Sequence, residues 1–304
     1  MKILITGSEG QLGKQIIKSA PKNVQVIGIS RKDLDLINYE KCYEKIIKEK
    51  PNWIINTAAY TNVDRAESEK ELAMKINAKA PLAFSKALKI TGGKLLQIST
   101  DYVFNGNQQK PYPPDHERSP INFYGYSKAL GEKNIIEEFG IQKNYLILRT
   151  SWLMGPIGKN FLLTMLSLNK TKDSFRVVSD QFGCLTSTLS LADACWELIQ
   201  KYTCKIFHSQ NHSVLHFANI GKTSWYEIAV EIGNLAFDHG LINKKAKVYP
   251  IKSNDYITQA KRPMFSVLES DQTYQLLNLK PISWKKSLED IIKEIKAINN
   301  FGKL

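Results

Sequence analysis

Short apolar runs alternate with longer amphipathic stretches through the first half of the chain. "KILIT", "VQVIGIS", "PNWIINTAA", "GGKLLQIST" and "NYLILRTSW" are runs of β-branched and leucine residues, and each reads as a strand. Runs apolar on both faces suit a parallel sheet covered by helices on each side. Between them, "QLGKQIIKSA", "NYEKCYEKIIKEK" and "EKELAMKINAKAPLAFSKALKIT" carry apolar residues at helical spacing, and a further helix is expected to begin near Tyr124. Regular alternation of strand and helix over residues 1–150 predicts an α/β fold: a Rossmann-type doubly wound parallel sheet that holds a dinucleotide.

After Trp152 the rhythm loosens. "FLLTMLSL", "LSLADACWELIQKY" and "SWYEIAVEIGNLAF" read as helices, "HSVLHFANIG" as a strand, and Lys285 to Ile298 as a last helix. Residues 151–304 are therefore expected to form mainly a second, smaller α/β domain for substrate, with segments near 175–200 and 220–240 returning to the first. The proline-rich "QQKPYPPDHERSP" is expected to be a surface loop.

Composition narrows this picture. The 304 residues are 43% hydrophobic and 23% charged, enough for a substantial core. "MKILITG" enters a strand at once, leaving no room for a signal peptide, and no apolar run is long enough to cross a bilayer. A cytoplasmic protein is expected. The net charge of +13 raises the question of a polyanion partner. However, lysines interleave with glutamates at helical spacing, and no basic cluster carries interleaved aromatics. Neither a nucleic-acid nor a membrane partner is expected. Cys42, Cys184, Cys195 and Cys204 have no C-x-x-C spacing and read as reduced thiols.

"GSEGQLG" spaces Gly7, Gly10 and Gly13 between a strand and a helix. Glycines there allow a tight turn and close approach of a pyrophosphate, which the helix N-terminus then meets with free N–H groups. The second strand ends "ISRKDLDL". A basic residue at that position accommodates a 2′-phosphate and a carboxylate holds a 2′-hydroxyl. Arg31 precedes Asp33 and Asp35, which points to NADPH, with NADH possible.

"YGYSK" holds two tyrosines and a lysine. On a helix, Tyr124 shares a face with Lys128 four residues on, whereas Tyr126 points elsewhere. A phenol titrates near pH 10, so an ammonium and an oxidised nicotinamide nearby would favour phenolate. "ISTDYVF" puts Ser99, Thr100 and Asp101 at a strand end, where ligands sit in open α/β sheets. Strand-end hydroxyl, tyrosine and lysine form a ketone-reducing set.

With these three motifs, the chain resembles the extended short-chain dehydrogenase/reductase superfamily, and specifically the dTDP-4-dehydrorhamnose reductase family. "NTAAYTNVDRAE", "KINAKAP", "LRTSWLMGPIGKNFLLTML", "VVSDQFGCLT", "TSWYEIA" and "KRPMFSVL" follow in the family's order. The resemblance implies NADPH-dependent reduction of the C4 ketone of dTDP-4-dehydro-β-L-rhamnose. Tyr124 would donate the proton, Lys128 would tune it and bind the ribose, and Thr100 would orient the ketone beside Asp101. Gly7, Gly10, Gln11 and Leu12 match the pyrophosphate loop. Asp35 and Leu36 match adenine-side positions, and Ala58, Ala59 and Tyr60 the third-strand segment. Ser99 would border the cofactor, and Trp152 matches the sugar-side tryptophan. Asn160 and Arg262 would contact the nucleotide half of a nucleotide-diphosphate sugar or, alternatively, anchor their loops.

The chain departs from the family at Gln15, where some members carry a metal-binding glutamate at a dimer interface, at Pro114 and at Leu185. No such metal is expected, and the state is monomer or homodimer. Another nucleotide-sugar 4-ketoreductase is an alternative. So is a non-catalytic, NADP-binding regulatory subunit of the methionine adenosyltransferase type, against which the intact Thr100, Tyr124 and Lys128 argue. His208, His212 and His216 share a spacing of four, but "VLHFANI" reads as a strand without acidic or cysteine partners, so no metal is expected there.

Overall fold

The computed structural model describes residues 1–203 and 213–301. Cys204, His208 and His212 lie outside the described residues. The first half follows the expected rhythm: β1 (Lys2–Thr6), α1 (Gln11–Lys18), β2 (Gln25–Ile29), α2 (Tyr39–Glu49), β3 (Trp53–Asn56), α3 (Lys70–Met74), α4 (Ala80–Thr91), β4 (Lys94–Thr100), α5 (Phe123–Phe139) and β5 (Tyr145–Thr150). A π-helical stretch, Lys75–Lys79, joins α3 to α4.

In the second half come β6 (Leu153–Met154), α6 (Phe161–Thr171), β7 (Ser174–Val178), β8 (Phe182–Gly183), β9 (Thr186–Ser187), α7 (Thr188–Thr203) and β10 (Val214–His216). They are followed by β11 (Thr223–Ser224), α8 (Trp225–Asp238), β12 (Lys247–Ile251), α9 (Asp271–Leu277) and α10 (Trp284–Phe301).

A six-stranded parallel sheet runs β10–β5–β4–β3–β1–β2. The central strands β3 and β5 are buried at every position, whereas the edge strand β2 is partly exposed. This is the reason the inner runs are apolar throughout. On one face Leu12 and Ile16 of α1 pack with Leu191, Cys195 and Trp196 of α7 and with Tyr274 of α9. On the other, Cys42, Ile46, Phe84, Leu88, Ile135 and Phe139 come from α2, α4 and α5. β1 pairs with β2 on one side and β3 on the other, so the chain changes direction across the sheet there. A crevice opens beyond the carboxyl ends of the strands at such a point.

A separate apolar cluster joins α6, α8 and α10 through Leu162, Leu166, Ile228, Ile232, Leu288 and Ile292. Of the two stretches expected to return to the sheet, 175–200 does so only through α7, while β7 pairs with β12 and Val177 and Leu185 lie in the second cluster. α8, from the other stretch, also packs in this second cluster, and the other segments meeting the sheet are β10 and α9. The proline-rich loop also differs from expectation. Tyr112 is fully buried, stacks on Phe104 at 4.3 Å, and its hydroxyl accepts from Gly106 N at 2.9 Å. A stacked aromatic pair outweighs the polar composition around it. Cys42, Cys184 and Cys195 are buried and unpaired, and burial raises the Cys42 thiol to about 12. Among the described residues no helix is long and apolar enough to cross a membrane.

Candidate active site

A cleft of about 890 Å³ follows the crevice from β2, over the glycine turn, to the start of α5 and the second cluster. At its β1 end Gly7 has φ +68°, and a Cβ there would stand 2.9 Å from Ala58 N beyond β3. Only glycine fits this left-handed, close approach. Gly10 N donates to Gly7 O at 2.9 Å and closes the turn. Gly10 caps α1 without a side chain, so the first-turn N–H groups at Gln11 and Leu12 face the cleft. A tight turn with uncapped helix donors suits a diphosphate.

Arg31, Asp35 and Leu36 line the far end of the same cleft. Arg31 is exposed and lies 3.5 Å from the Asp35 carboxylate. Asp33 is committed elsewhere: its Oδ2 accepts from Ser30 N at 2.9 Å and from Ser30 Oγ at 2.7 Å. Ala58, Ala59 and Tyr60 form the β3 side. The Tyr60 hydroxyl turns away and donates to Glu69 at 2.6 Å.

Ser99, Thr100 and Asp101 meet α5 at the other end. The helix starts at Asn122, whose side chain accepts from Gly125 N at 2.8 Å. A Cβ on Gly125 would fall 2.1 Å from Tyr102 O, so a glycine lets α5 close on the segment after β4. Tyr124 and Thr100 thereby line the same end of the cleft. Tyr124 is buried, while Tyr126 is 49% exposed. The helical-face argument separates the two tyrosines as expected.

Lys128 is 5% exposed, and its Nζ donates to Ile98 O at 2.7 Å. Burial pulls it down to about 8, against the Glu132 charge. Tyr124 is pushed up to about 12, by burial first, although the Thr100 hydrogen bond lowers it. The expectation of a phenolate rests on the ammonium together with an oxidised nicotinamide; among the chain's own groups burial dominates, and Lys128 is held by a β4 carbonyl. Asp101 is buried and raised to about 6 by desolvation.

Trp152 and Asn160 border the cleft from the second cluster. Trp152 sits in the left-handed region at φ +45°, a strained conformation for a bulky residue. Asn160 caps α6, and its Nδ2 donates to Gln11 Oε1 at 2.7 Å, tying the glycine turn to the second cluster. Arg262 is not part of the cleft wall. Its guanidinium grips the Asp64 carboxylate at 2.8 Å, which serves as a loop anchor.

Sequence reasoning missed Trp225, Phe161, Asn77, Glu132 and Arg149. Trp225 lines the cleft and stacks on Trp152 at 3.8 Å, with Phe161 at 4.7 Å from Trp225. Asn77, in the π-helical stretch, accepts from Tyr60 N at 2.9 Å and donates to Ser127 Oγ at 2.9 Å, joining the β3 loop to α5. Glu132 and Arg149 pair beneath Lys128, with 2.7 Å between Arg149 Nη2 and Glu132 Oε2. Asn77, Arg149, Phe161 and Trp225 stand in quoted motifs without a role, because their partners are distant in sequence. His216 is buried, with Nδ1 3.0 Å from Tyr112 O and Nε2 3.3 Å from Arg149 Nη1, and burial pushes it down to about 3. Among the described residues no group of three or more His, Cys, Asp or Glu could hold a metal ion.

A glycine turn at the switch point of a parallel sheet, facing a helix that presents tyrosine and lysine on one side, defines the extended short-chain dehydrogenase/reductase class. The family described as "RmlD substrate binding domain" matches residues 1–297. A dTDP-4-dehydrorhamnose reductase of Aggregatibacter actinomycetemcomitans is 34% identical, covering 95% of this chain and 98% of that protein. Its namesake in Escherichia coli K12 is 33% identical over 97% and 98%. The crystal structure of a dTDP-4-dehydrorhamnose reductase from Clostridium acetobutylicum superposes with a TM-score of 0.87 at 38% identity, over 97% of this chain and all of that one. One from Bacillus anthracis, in complex with NADP, gives 0.84 at 34% over 96% and 99%. The chain belongs to the dTDP-4-dehydrorhamnose reductase family.

Proposed function

We propose that the chain reduces the C4 ketone of dTDP-4-dehydro-β-L-rhamnose to dTDP-L-rhamnose with NADPH. The observation that carries this reading is the buried Tyr124, beside Thr100 and one helical turn from Lys128, in a cleft continuous with the glycine turn. The family's reductases, and the Bacillus anthracis complex with NADP, support the choice of substrate and cofactor.

The residues fit the dinucleotide. Gly7, Gly10, Gln11 and Leu12 would hold the pyrophosphate, and Arg31, Asp35 and Leu36 the adenosine end. Ala58, Ala59, Tyr60 and Ser99 would border the middle. Bound there, NADPH supplies the hydride for the sugar C4. Tyr124 donates its phenolic proton to the oxygen of that carbon. Thr100 orients the ketone oxygen, with Asp101 beside it. Lys128 uses one N–H on Ile98 O, so two remain for ribose hydroxyls. Trp152 packs against the sugar, and Asn160 keeps the cleft wall in place. Arg262 acts through Asp64, holding the loop after β12, rather than on the nucleotide itself. The sheet with its helices is the dinucleotide-binding part, and the α6–α8–α10 cluster is the substrate-binding part.

A second reading has one specific observation behind it. A probable dTDP-4,6-dihydroxy-2-methyloxan-3-one 4-ketoreductase of Streptomyces antibioticus is 31% identical over 98% of the chain. The same catalytic set would then serve another 4-keto sugar nucleotide. NADPH oxidation with enzymatically made dTDP-4-dehydro-L-rhamnose, followed by product identification, separates the two. NADPH loss with dTDP-rhamnose formed supports the first reading. Binding of NADPH without consumption refutes it, and a panel of 4-keto sugar nucleotides then tests the second.

A further inference from the structure

Two consecutive residues of β4 are tied to two residues one turn apart on α5. Ile98 O accepts from Lys128 Nζ at 2.7 Å, and Ser99 Oγ donates to Glu132 Oε1 at 2.5 Å. Both rungs lie directly beneath Thr100. The Glu132 carboxylate is 1% exposed and fully satisfied. Arg149 Nε reaches Oε1 at 3.0 Å and Oε2 at 3.2 Å, Arg149 Nη2 reaches Oε2 at 2.7 Å, and Arg118 Nη1 reaches Oε2 at 3.3 Å. Arg149 is itself anchored: its Nη1 donates to Pro114 O at 3.0 Å, and its guanidinium lies over the Phe104 ring. A buried carboxylate with this many charge-assisted donors cannot shift without breaking several of them.

We propose that Glu132 is a positioning residue for the reaction. Through Ser99 it locks the end of β4 against α5, so that Thr100, Tyr124 and Lys128 keep their register, and its charge faces the Lys128 ammonium along the helix. This rests on the reductase reading above.

The charges around the pair are defined. Although burial opposes it, Arg149 and Arg118 hold Glu132 below the usual carboxylate range, so it is ionised at neutral pH. His216, behind Arg149 on β10, is neutral because burial keeps it near 3. Tyr124 and Asp101 share the Lys128 end of the cleft, at about 12 and about 6, on either side of the lysine at about 8. Removing the Glu132 charge leaves Arg149 and Arg118 unopposed next to Lys128, which further disfavours its ammonium form.

The test is Glu132→Gln, which keeps shape and loses charge. The expected result is a fall in kcat of roughly ten- to a hundredfold from lost register, with KM changing less than kcat. The alkaline limb of the kcat profile should also move to lower pH by roughly one unit. Ser99→Ala removes the rung without uncovering a charge, so kcat should fall while the limb stays; it stands in if the glutamine variant does not fold. An unchanged kcat in Ser99→Ala, or an unmoved limb in a folded Glu132→Gln, overturns the proposal. Lys128 ionisation is read independently from the ε-methylene NMR signal of labelled lysine, assigned with Lys128→Met. If the wild-type protein fails to turn over the sugar, the reductase reading fails. The Glu132→Gln titration still decides the present proposal: an acid-ward shift sustains it, and an unshifted Lys128 overturns it.

Discussion

Asp101 makes the pH dependence of stability predictable. Its side chain is buried, Oδ1 accepts from Thr100 Oγ1 at 3.1 Å, and Oδ2 has no hydrogen-bond partner. Desolvation therefore prevails over the nearby Ser266 and Thr100 hydroxyls and raises the carboxyl from 3.8 to about 6. A group whose folded pKa exceeds its unfolded value favours folding in its protonated form. That contribution is fully present below the unfolded value and disappears as pH rises through the folded one. The rise from 3.8 to about 6 corresponds to about 3 kcal/mol, lost across that window. Asp101→Asn cannot ionise, so it lacks this dependence whatever its fixed cost. Urea unfolding of both proteins without ligand isolates the effect, since all other titrating groups are shared. The wild-type stability minus that of the variant should fall by about 2.5 kcal/mol from about pH 4 to about pH 7. A difference that stays constant across this range would refute the reasoning, because it would mean that Asp101 titrates alike in both states.

Two further predictions concern catalysis and the cofactor. Tyr124→Phe should cut turnover by roughly a hundredfold or more, the scale of a lost proton donor, with NADPH affinity nearly intact by fluorescence titration; Tyr126→Phe, at an exposed site, should change turnover little. Equal losses from both would contradict the separation of the two faces. Gly7→Ala should lower stability by about 1–2 kcal/mol from the left-handed backbone alone. Its added contact with Ala58 N should weaken NADPH binding as well, as calorimetry would register.

What was legible in the sequence depended on local period. Four-residue spacing separated Tyr124 from Tyr126, and a strand–glycine–helix order located the turn that Gly7 now makes at φ +68°. Both follow from backbone geometry that a single element dictates. Properties set by distant partners were not legible. Lys128 and an oxidised nicotinamide together are expected to lower the Tyr124 phenol, whereas the chain's own groups act the other way: Ile98 takes the ammonium and burial desolvates the ring. Arg262 reads in the sequence as a nucleotide contact or a loop anchor, and its partner Asp64 lies nearly two hundred positions away. The buried Tyr112 shows the same limit, since its proline-rich surroundings carry no trace of the Phe104 ring it stacks on.

Glu132 is the instructive intermediate case. Its place four residues after Lys128 puts both on one helix face, which the sequence contains, but its meaning comes from Ser99 and Arg149 on two neighbouring strands. β4 and β5 pair Ser99 opposite Arg149, and that register delivers a hydroxyl and a guanidinium to one carboxylate. Sheet pairing thus converts three separate positions into a support for the catalytic set. A change at any of the three should therefore be felt at Thr100 and Lys128 before it is felt at the glycine turn.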